Sequence, residues 1–301
     1  MELGVVFPQT EIGTDRQAVR EYARHAEAAG YGHLHAYDHV LGANPDRPGY
    51  DGPYDYTDPF HEPFTLFSHL AGITDTLDFI SGILILPQRQ TALVAKQAAT
   101  VDVLSGGRLR VGVGVGWNDI EYEAMGMDFH TRGRRIEEQV DLLRRLWTEE
   151  LVDFDGEFHH IPDAGLKPLP IQQPVPVLMG GGADPVLRRA GRLADGWLPP
   201  GTWKLPDADM DTLEQTIGTI RTHRNEAGKD PDEFTVWGRM NLARDDPDEW
   251  VARTRRWADA GATHLAIDTM DMGLAFPDEH IETIERYAET VDDAGVGDLS
   301  P

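Results

Sequence analysis

Leu104-Ser-Gly-Gly-Arg-Leu-Arg-Val-Gly-Val-Gly-Val-Gly-Trp117 is the stretch whose reading decides the fold. A helix reaches its stop at Ser105-Gly106-Gly107, and a strand then runs from Leu109 to about Val115. Leu109, Val111, Val113 and Val115 alternate with Arg110, Gly112, Gly114 and Gly116, so the strand has two unlike faces. Beyond Arg110 one face carries branched side chains and the other carries none. Glycine weakens a strand interior, so three at period two mean that something approaches the backbone closely. Two occupants stay open: a planar cofactor or its phosphate, and tight packing inside a barrel.

Outward from this stretch the chain alternates strand and helix. Strands are expected at 3–7, 33–39, 77–86, 109–115, 175–179, 194–198, 234–240 and 264–267. Helices are expected at 15–29, 63–74, 91–104, 131–147, 185–193, 207–227, 247–260 and 277–293, with an irregular acidic segment at 118–130. Eight βα units without a composition break predict one domain, 1–301, folded as an α/β, (β/α)8 TIM barrel. A doubly wound sheet is the alternative, but it usually has fewer strands. Residues 151–174 break the pattern and read as an insertion, with a hairpin around Asp155-Gly156 and a proline-rich connector. The Gly/Pro/Tyr/Asp-rich loop 41–62 is long for a compact domain and reads as a lid or binding loop.

The 301 residues carry 52 acidic and 27 basic side chains, a net charge of −25, and only four of the basic residues are lysine. Such a surface repels nucleic acid and anionic membranes. The carboxylates are spread along the chain instead of forming a tail, a pattern like that of proteins from salt-loving organisms, where screening makes the density tolerable. There is no cysteine, so disulfides and thiolate metal sites are excluded. The apolar run Ile83–Leu86 is far too short for a bilayer, and the N-terminus lacks a basic n-region, so a cytoplasmic chain is expected.

In a barrel, chemistry sits in the loops after the strands. Asp38-His39 follows the second strand, and a carboxylate beside an imidazole can hold an acid–base histidine; a lone pair of this kind is also common without function. Gly180-Gly-Gly-Ala-Asp-Pro185 opens a helix after the fifth strand, where free N–H groups and the helix dipole suit an anion, although three glycines also make a tight turn. It lacks dinucleotide spacing, and no Walker motif exists, which also disposes of Leu104-Ser-Gly-Gly-Arg108 as a transporter-ATPase signature. His33 and His35 share a strand face and raise a metal-dependent barrel hydrolase. Later strand ends offer only Asp268 as a further ligand, and His33 lies at the wrong end of its strand, so no metal site is expected. His159 and His160 are expected at the surface. The tryptophans, Trp203 among them, are expected in the core, with Trp117 and Trp197 placed to wall a pocket.

Together, Ala95-Lys-Gln-Ala-Ala-Thr100, Asp102-Val-Leu-Ser-Gly-Gly-Arg108, Gly112-Val-Gly-Val-Gly-Trp117, Thr131-Arg-Gly-Arg-Arg135, Met179-Gly-Gly-Gly182 and Ala194-Asp-Gly-Trp197 resemble the luciferase-like monooxygenase family. Within it they resemble the branch that uses the deazaflavin coenzyme F420, over nearly the whole chain, and the composition suggests a halophilic archaeon. The resemblance implies a barrel with an insertion and an oxidoreductase passing hydride between deazaflavin C5 and a small organic substrate. It implies His39 as acid/base oriented by Asp38, a non-proline cis peptide at Gly82-Ile83 behind the ring, Gly114, Val115, Gly116 and Trp117 bordering the cofactor, and Gly180, Gly181 and Gly182 at its phosphate. Sugar-phosphate dehydrogenases of this branch have a glutamate where Trp117 stands, which speaks against their substrate. FMN with oxygen is the alternative cofactor chemistry, a non-catalytic cofactor carrier is a further one, and a homodimer is expected.

Overall fold

A computed structural model describes residues 1–50, 52–200, 210–244 and 247–299. In chain order the elements are β1 (Glu2–Val6), α1 (Arg16–Ala28), β2 (His33–Ala36), α2 (Pro63–Ala71), β3 (Asp78–Ser81), β4 (Leu84–Ile85), α3 (Thr91–Ser105), β5 (Leu109–Gly114), α4 (Asp119–Ala124) and α5 (Arg132–Thr148). There follow β6 (Val152–Asp155), β7 (His160–Ala164), β8 (Val177–Gly180), α6 (Asp184–Leu193), β9 (Gly196–Leu198), α7 (Met210–Glu226), β10 (Thr235–Asn241), α8 (Pro247–Asp259), β11 (His264–Asp268) and α9 (Asp278–Asp293).

The parallel sheet runs β3-β2-β1-β11-β10-β9-β8-β5-β4, and a β3–β5 pairing closes it. β3 and β4 are one barrel strand interrupted at the cis peptide Gly82-Ile83, so the closed barrel has eight parallel strands, as the alternation of elements implies. The main core lies between this barrel and the surrounding helices, with Leu3, Val5, Phe67, Phe79, Val111, Val113 and Trp147 all fully buried.

Local chemistry sets the element ends. Asp15 caps α1 by accepting from the Gln17 N–H at 2.7 Å, and Glu62 caps α2 by accepting from the Thr65 N–H at 2.8 Å ahead of Pro63. Gly106, at φ 73°, ends α3 in the left-handed conformation that glycine adopts most readily. The insertion is the two-stranded antiparallel sheet β6–β7. Two expectations change. The segment after Trp117 contains α4, begun by Asn118 accepting from the Ile120 N–H. The helix expected from residue 207 is described from Met210, and its first residues, like Trp203, lie outside the described residues.

The bare face of β5 is filled by its neighbour. A methyl group on Gly112 would overlap the Ser81 carbonyl oxygen, one on Gly114 would overlap Ile83 Cδ1, and one on Gly116 would lie 2.8 Å from Ile85 Cγ2. Glycines at period two thus face Ser81, Ile83 and Ile85 at period two. Barrel-interior packing accounts for Gly112 and Gly114, and only Gly116 also borders open space. Among the described residues no helix is long and apolar enough to cross a membrane.

Candidate active site

Two adjoining cavities open at the carboxyl end of the barrel. The first, about 360 Å³, is lined by Gly82, Ile83, Val115, Gly116 and the glycines 180–182, together with His35, Tyr37, Trp237 and Arg239. The second, about 300 Å³, is lined by Asp38, His39, Pro53, Tyr54, Ile85 and Trp117, and shares Tyr37, Gly82, Ile83, Gly116 and Arg239 with the first. All but one of the residues expected at the site therefore meet in one cleft. Gly114 is the exception: it lies under the Ile83 side chain and lines neither cavity.

β2 ends at Ala36 and delivers Tyr37, Asp38 and His39 to the cleft. The expectation that Asp38 orients His39 is corrected. The Asp38 carboxylate is turned to Arg89, which donates through Nη2 to Oδ1 at 2.7 Å and through Nε to Oδ2 at 3.3 Å, while the Ile85 N–H donates to Oδ2 at 3.0 Å. Successive side chains of an extended segment point to opposite sides, so neighbours in sequence part company in space. Burial pushes the Asp38 carboxyl above its ordinary pKa, against the pull of Arg89. Arg89 also reaches Glu62 at 3.1 Å and so fastens the end of the long loop to the barrel.

The carboxylate at His39 belongs to Glu121, on α4. Glu121 is 1 % exposed. Its Oε1 accepts from the N–H groups of Val40 (2.8 Å) and Leu41 (3.1 Å) and lies 3.5 Å from His39 Nδ1. Sequence reasoning missed it by reading an acidic segment as irregular. The available signal was Asn118-Asp-Ile-Glu121, a helix-start residue followed three positions later by glutamate. Around the imidazole stand Phe60 (4.8 Å), Tyr54 (5.2 Å) and Trp117 (6.1 Å), measured between ring centroids. Trp117 is 44 % exposed, and a methyl group on Gly52 would overlap its indole, so the long loop lies against it.

Arg239, on β10, is the second residue missed. It borders both cavities, sits 5.3 Å over the Tyr37 ring, donates to the Tyr37 hydroxyl, and has Asp268 at 3.7 Å. One arginine in an alternating strand looks like any outward-facing residue, and only its place near the carboxyl end of a barrel strand marked it.

The glycine turn 180–182 leads into α6, whose cap residue Ala183 makes no side-chain bond. The Val186 and Leu187 N–H groups return to the Ala183 carbonyl at 2.7 and 3.1 Å. Pro185 has no N–H, and Asp184 puts a carboxylate in the first turn, which opposes the dipole's attraction for an anion. Trp197 lines neither of these two cavities; it is 2 % exposed and donates to the Gly181 carbonyl at 2.8 Å, which fixes the turn from behind.

His33 and His35 are barrel-core residues. His33 lies 3.2 Å from Glu2, and His264 stacks on Trp237 at 3.6 Å. Among the described residues no three acidic or histidine side chains are grouped to hold a metal ion. Burial holds His35 well below the ordinary histidine pKa, hence neutral, at the floor of the first cavity. His159 is not a surface residue: it joins Glu138 (2.6 Å) to Thr91 (2.7 Å) and so ties the insertion to α3, whereas His160 is exposed as expected.

A family model described as luciferase-like monooxygenase matches residues 1–296. An uncharacterised protein of Mycobacterium tuberculosis is 35 % identical over 297 residues, 95 % of this chain and 98 % of the relative. A protein of Pseudomonas putida named FMNH(2)-dependent dimethylsulfone monooxygenase is 37 % identical over 145 residues, 47 % of this chain and 40 % of its own. One of Segniliparus rotundus named F420-dependent glucose-6-phosphate dehydrogenase is 30 % identical over 225 residues, 66 % of this chain and 65 % of its own.

Proposed function

The chain belongs to the luciferase-like monooxygenase family of F420- or flavin-dependent oxidoreductases, and from that premise we propose that it is an F420-dependent oxidoreductase acting on a small organic substrate with His39 as acid/base. The observation that carries this reading is the His39–Glu121 pair at the second cavity, which adjoins the larger first one along Gly82, Ile83 and Gly116.

The residues fit such a cofactor. The first cavity is lined mostly by apolar groups, among them Ile83, Trp237 and Leu198, and by backbone at Gly116 and glycines 180–182, where a methyl group would meet Ile85, Ile83, Val186 or Pro200. Val115, Gly116, Gly82 and Ile83 would hold the ring, and Gly180, Gly181 and Gly182 the side chain. A bound deazaflavin supplies a two-electron hydride donor or acceptor at C5.

The protein's own part is position and proton movement. The rings of Tyr54, Phe60 and Trp117 stand around His39 and narrow its exposure to solvent. Glu121, held by two backbone N–H groups, faces Nδ1 and leaves Nε2 to take a proton from, or return one to, a substrate oxygen as hydride moves at the adjoining carbon. Asp38, bound to Arg89, fixes the segment that carries His39.

FMN is the second reading, favoured by the relative named FMNH(2)-dependent. Titration of the purified protein with F420 and with FMN, followed by fluorescence, separates the two. Binding of F420 with substrate-dependent turnover under nitrogen is the expected result; tight FMN binding without F420 binding overturns it. His39→Ala is expected to retain F420 binding and to lose turnover.

A further inference from the structure

The second cavity carries information about the substrate, given a cofactor in the first cavity as proposed above. Its walls are mostly aromatic or aliphatic, Tyr37, Tyr54, Trp117, Ile83, Ile85 and Pro53, with Asp38, His39 and Arg239 as the polar side chains among them. The ionised groups around it are engaged with one another. Asp38 holds Arg89, Arg89 also holds Glu62, Asp268 stands by Arg239, and Glu121 accepts from two backbone N–H groups. Four carboxylates thus stand with two guanidiniums around the cleft.

An anionic substrate would meet one guanidinium lining the cavity, Arg239, already shared with Asp268 and the Tyr37 hydroxyl, and carboxylates that outnumber the guanidiniums around the cleft, and both oppose binding. An ammonium group gains little in return for its lost hydration, because each carboxylate already has its donors. With the Arg239 guanidinium already donating to the Tyr37 hydroxyl and facing Asp268 at 3.7 Å, what remains for recognition is mostly apolar wall and the His39 imidazole. At roughly 30 Å³ per water-sized volume, 300 Å³ holds on the order of ten non-hydrogen atoms.

We infer that the second cavity binds an uncharged, flat, largely apolar molecule of about this size, whose single hydroxyl or carbonyl oxygen reaches His39. Tyr54 is the specificity-determining residue for its ring. Tyr54 stands 5.2 Å from His39 and 5.0 Å from Phe60, so a ring seated against it lies beside the imidazole. Its place on the long loop makes that loop the part of the chain that selects the substrate's body.

Calorimetry with four probes of nearly equal size tests this: 1-phenylethanol, acetophenone, mandelate and 1-phenylethylamine, each added to the full-length protein with and without bound cofactor. The two uncharged probes are expected to bind in the millimolar range or better, at least about tenfold more tightly than the anion or the amine. Tyr54→Ala is expected to weaken the uncharged probes by about three- to tenfold, the worth of an aromatic contact, and Tyr54→Phe to restore them. Cofactor affinity, read separately by fluorescence, stays unchanged in both variants and also reports that they are folded. Preferred binding of mandelate or of the amine, binding of none of the four, or indifference to Tyr54→Ala overturns the inference. Failure of the cofactor reading shows instead as absence of F420 and FMN binding, which the probe titrations on unloaded protein do not depend on.

Discussion

At the scale of single residues, the site rests on contacts that tolerate little change. Gly114 has Ile83 Cδ1 where its own Cβ would be. Gly114→Ala is therefore expected to destabilise the protein by about 1–3 kcal/mol through overpacking, seen as a lower urea midpoint, and Ile83→Ala in the same chain to recover part of the loss. An unchanged midpoint in the single variant would show that the barrel yields there at no cost. Glu121→Gln keeps the size of the side chain but removes the charge facing His39. Turnover is expected to drop about tenfold or more, a part of the ~10²–10⁴ that acid–base catalysis supplies, with cofactor affinity unchanged. Equal turnover would assign Glu121 to the 40–41 backbone alone. These two positions also mark what could be read from sequence. His39 and the glycines stood out in the sequence by residue type and spacing, and Ile83 only through the resemblance to the luciferase-like family. The partner of His39 was not, because Asp38 is adjacent in the chain and Glu121 comes from eighty residues away, on a helix of one and a half turns hidden among acids.

At the scale of elements, β2 and β11 bring imidazoles into the barrel core, where they must be neutral. Burial is the main cause of the lowered pKa of both His35 and His264, and the latter is pushed down to about 3. The unfolded chain takes up these protons near pH ~6.5, so their neutral burial costs nothing above that value. Below it the unfolded state binds protons that the folded state refuses, and stability falls as pH drops from about 6.5 toward about 3. The urea midpoint is expected to be lower at about pH 5 than at neutral pH, and the difference to shrink in His264→Gln. A midpoint that does not change between the two would contradict the neutral core. The eight βα units were legible from alternation and from glycine and proline stops. α4 was not: at six residues it is too short to show a periodic face. The insertion was found by its break in pattern, yet nothing local to His159 shows that it reaches Thr91 across the fold.

At the scale of the whole molecule, charge and site chemistry are separate. A net charge of −25 works against the compact state by self-repulsion, while the charges at the cleft are engaged with one another. Raising sodium chloride from about 0.1 to about 2 M is expected to raise the melting temperature by screening, and a fall would show that surface ion pairs outweigh the repulsion. The barrel and the strand ends that line its cleft were legible at this scale because of the element alternation; Arg239 was not, since only closure of the barrel shows which strand ends face one another. One contact has a practical outcome. Among the described tryptophans, Trp147, Trp197, Trp237, Trp250 and Trp257 are each at most 3 % exposed, whereas Trp117 is 44 % exposed and lies against Gly52. With Trp203 replaced by phenylalanine, quenching of the emission by acrylamide therefore reports one indole. The protein thus carries its own optical gauge of the contact between Trp117 and the long loop.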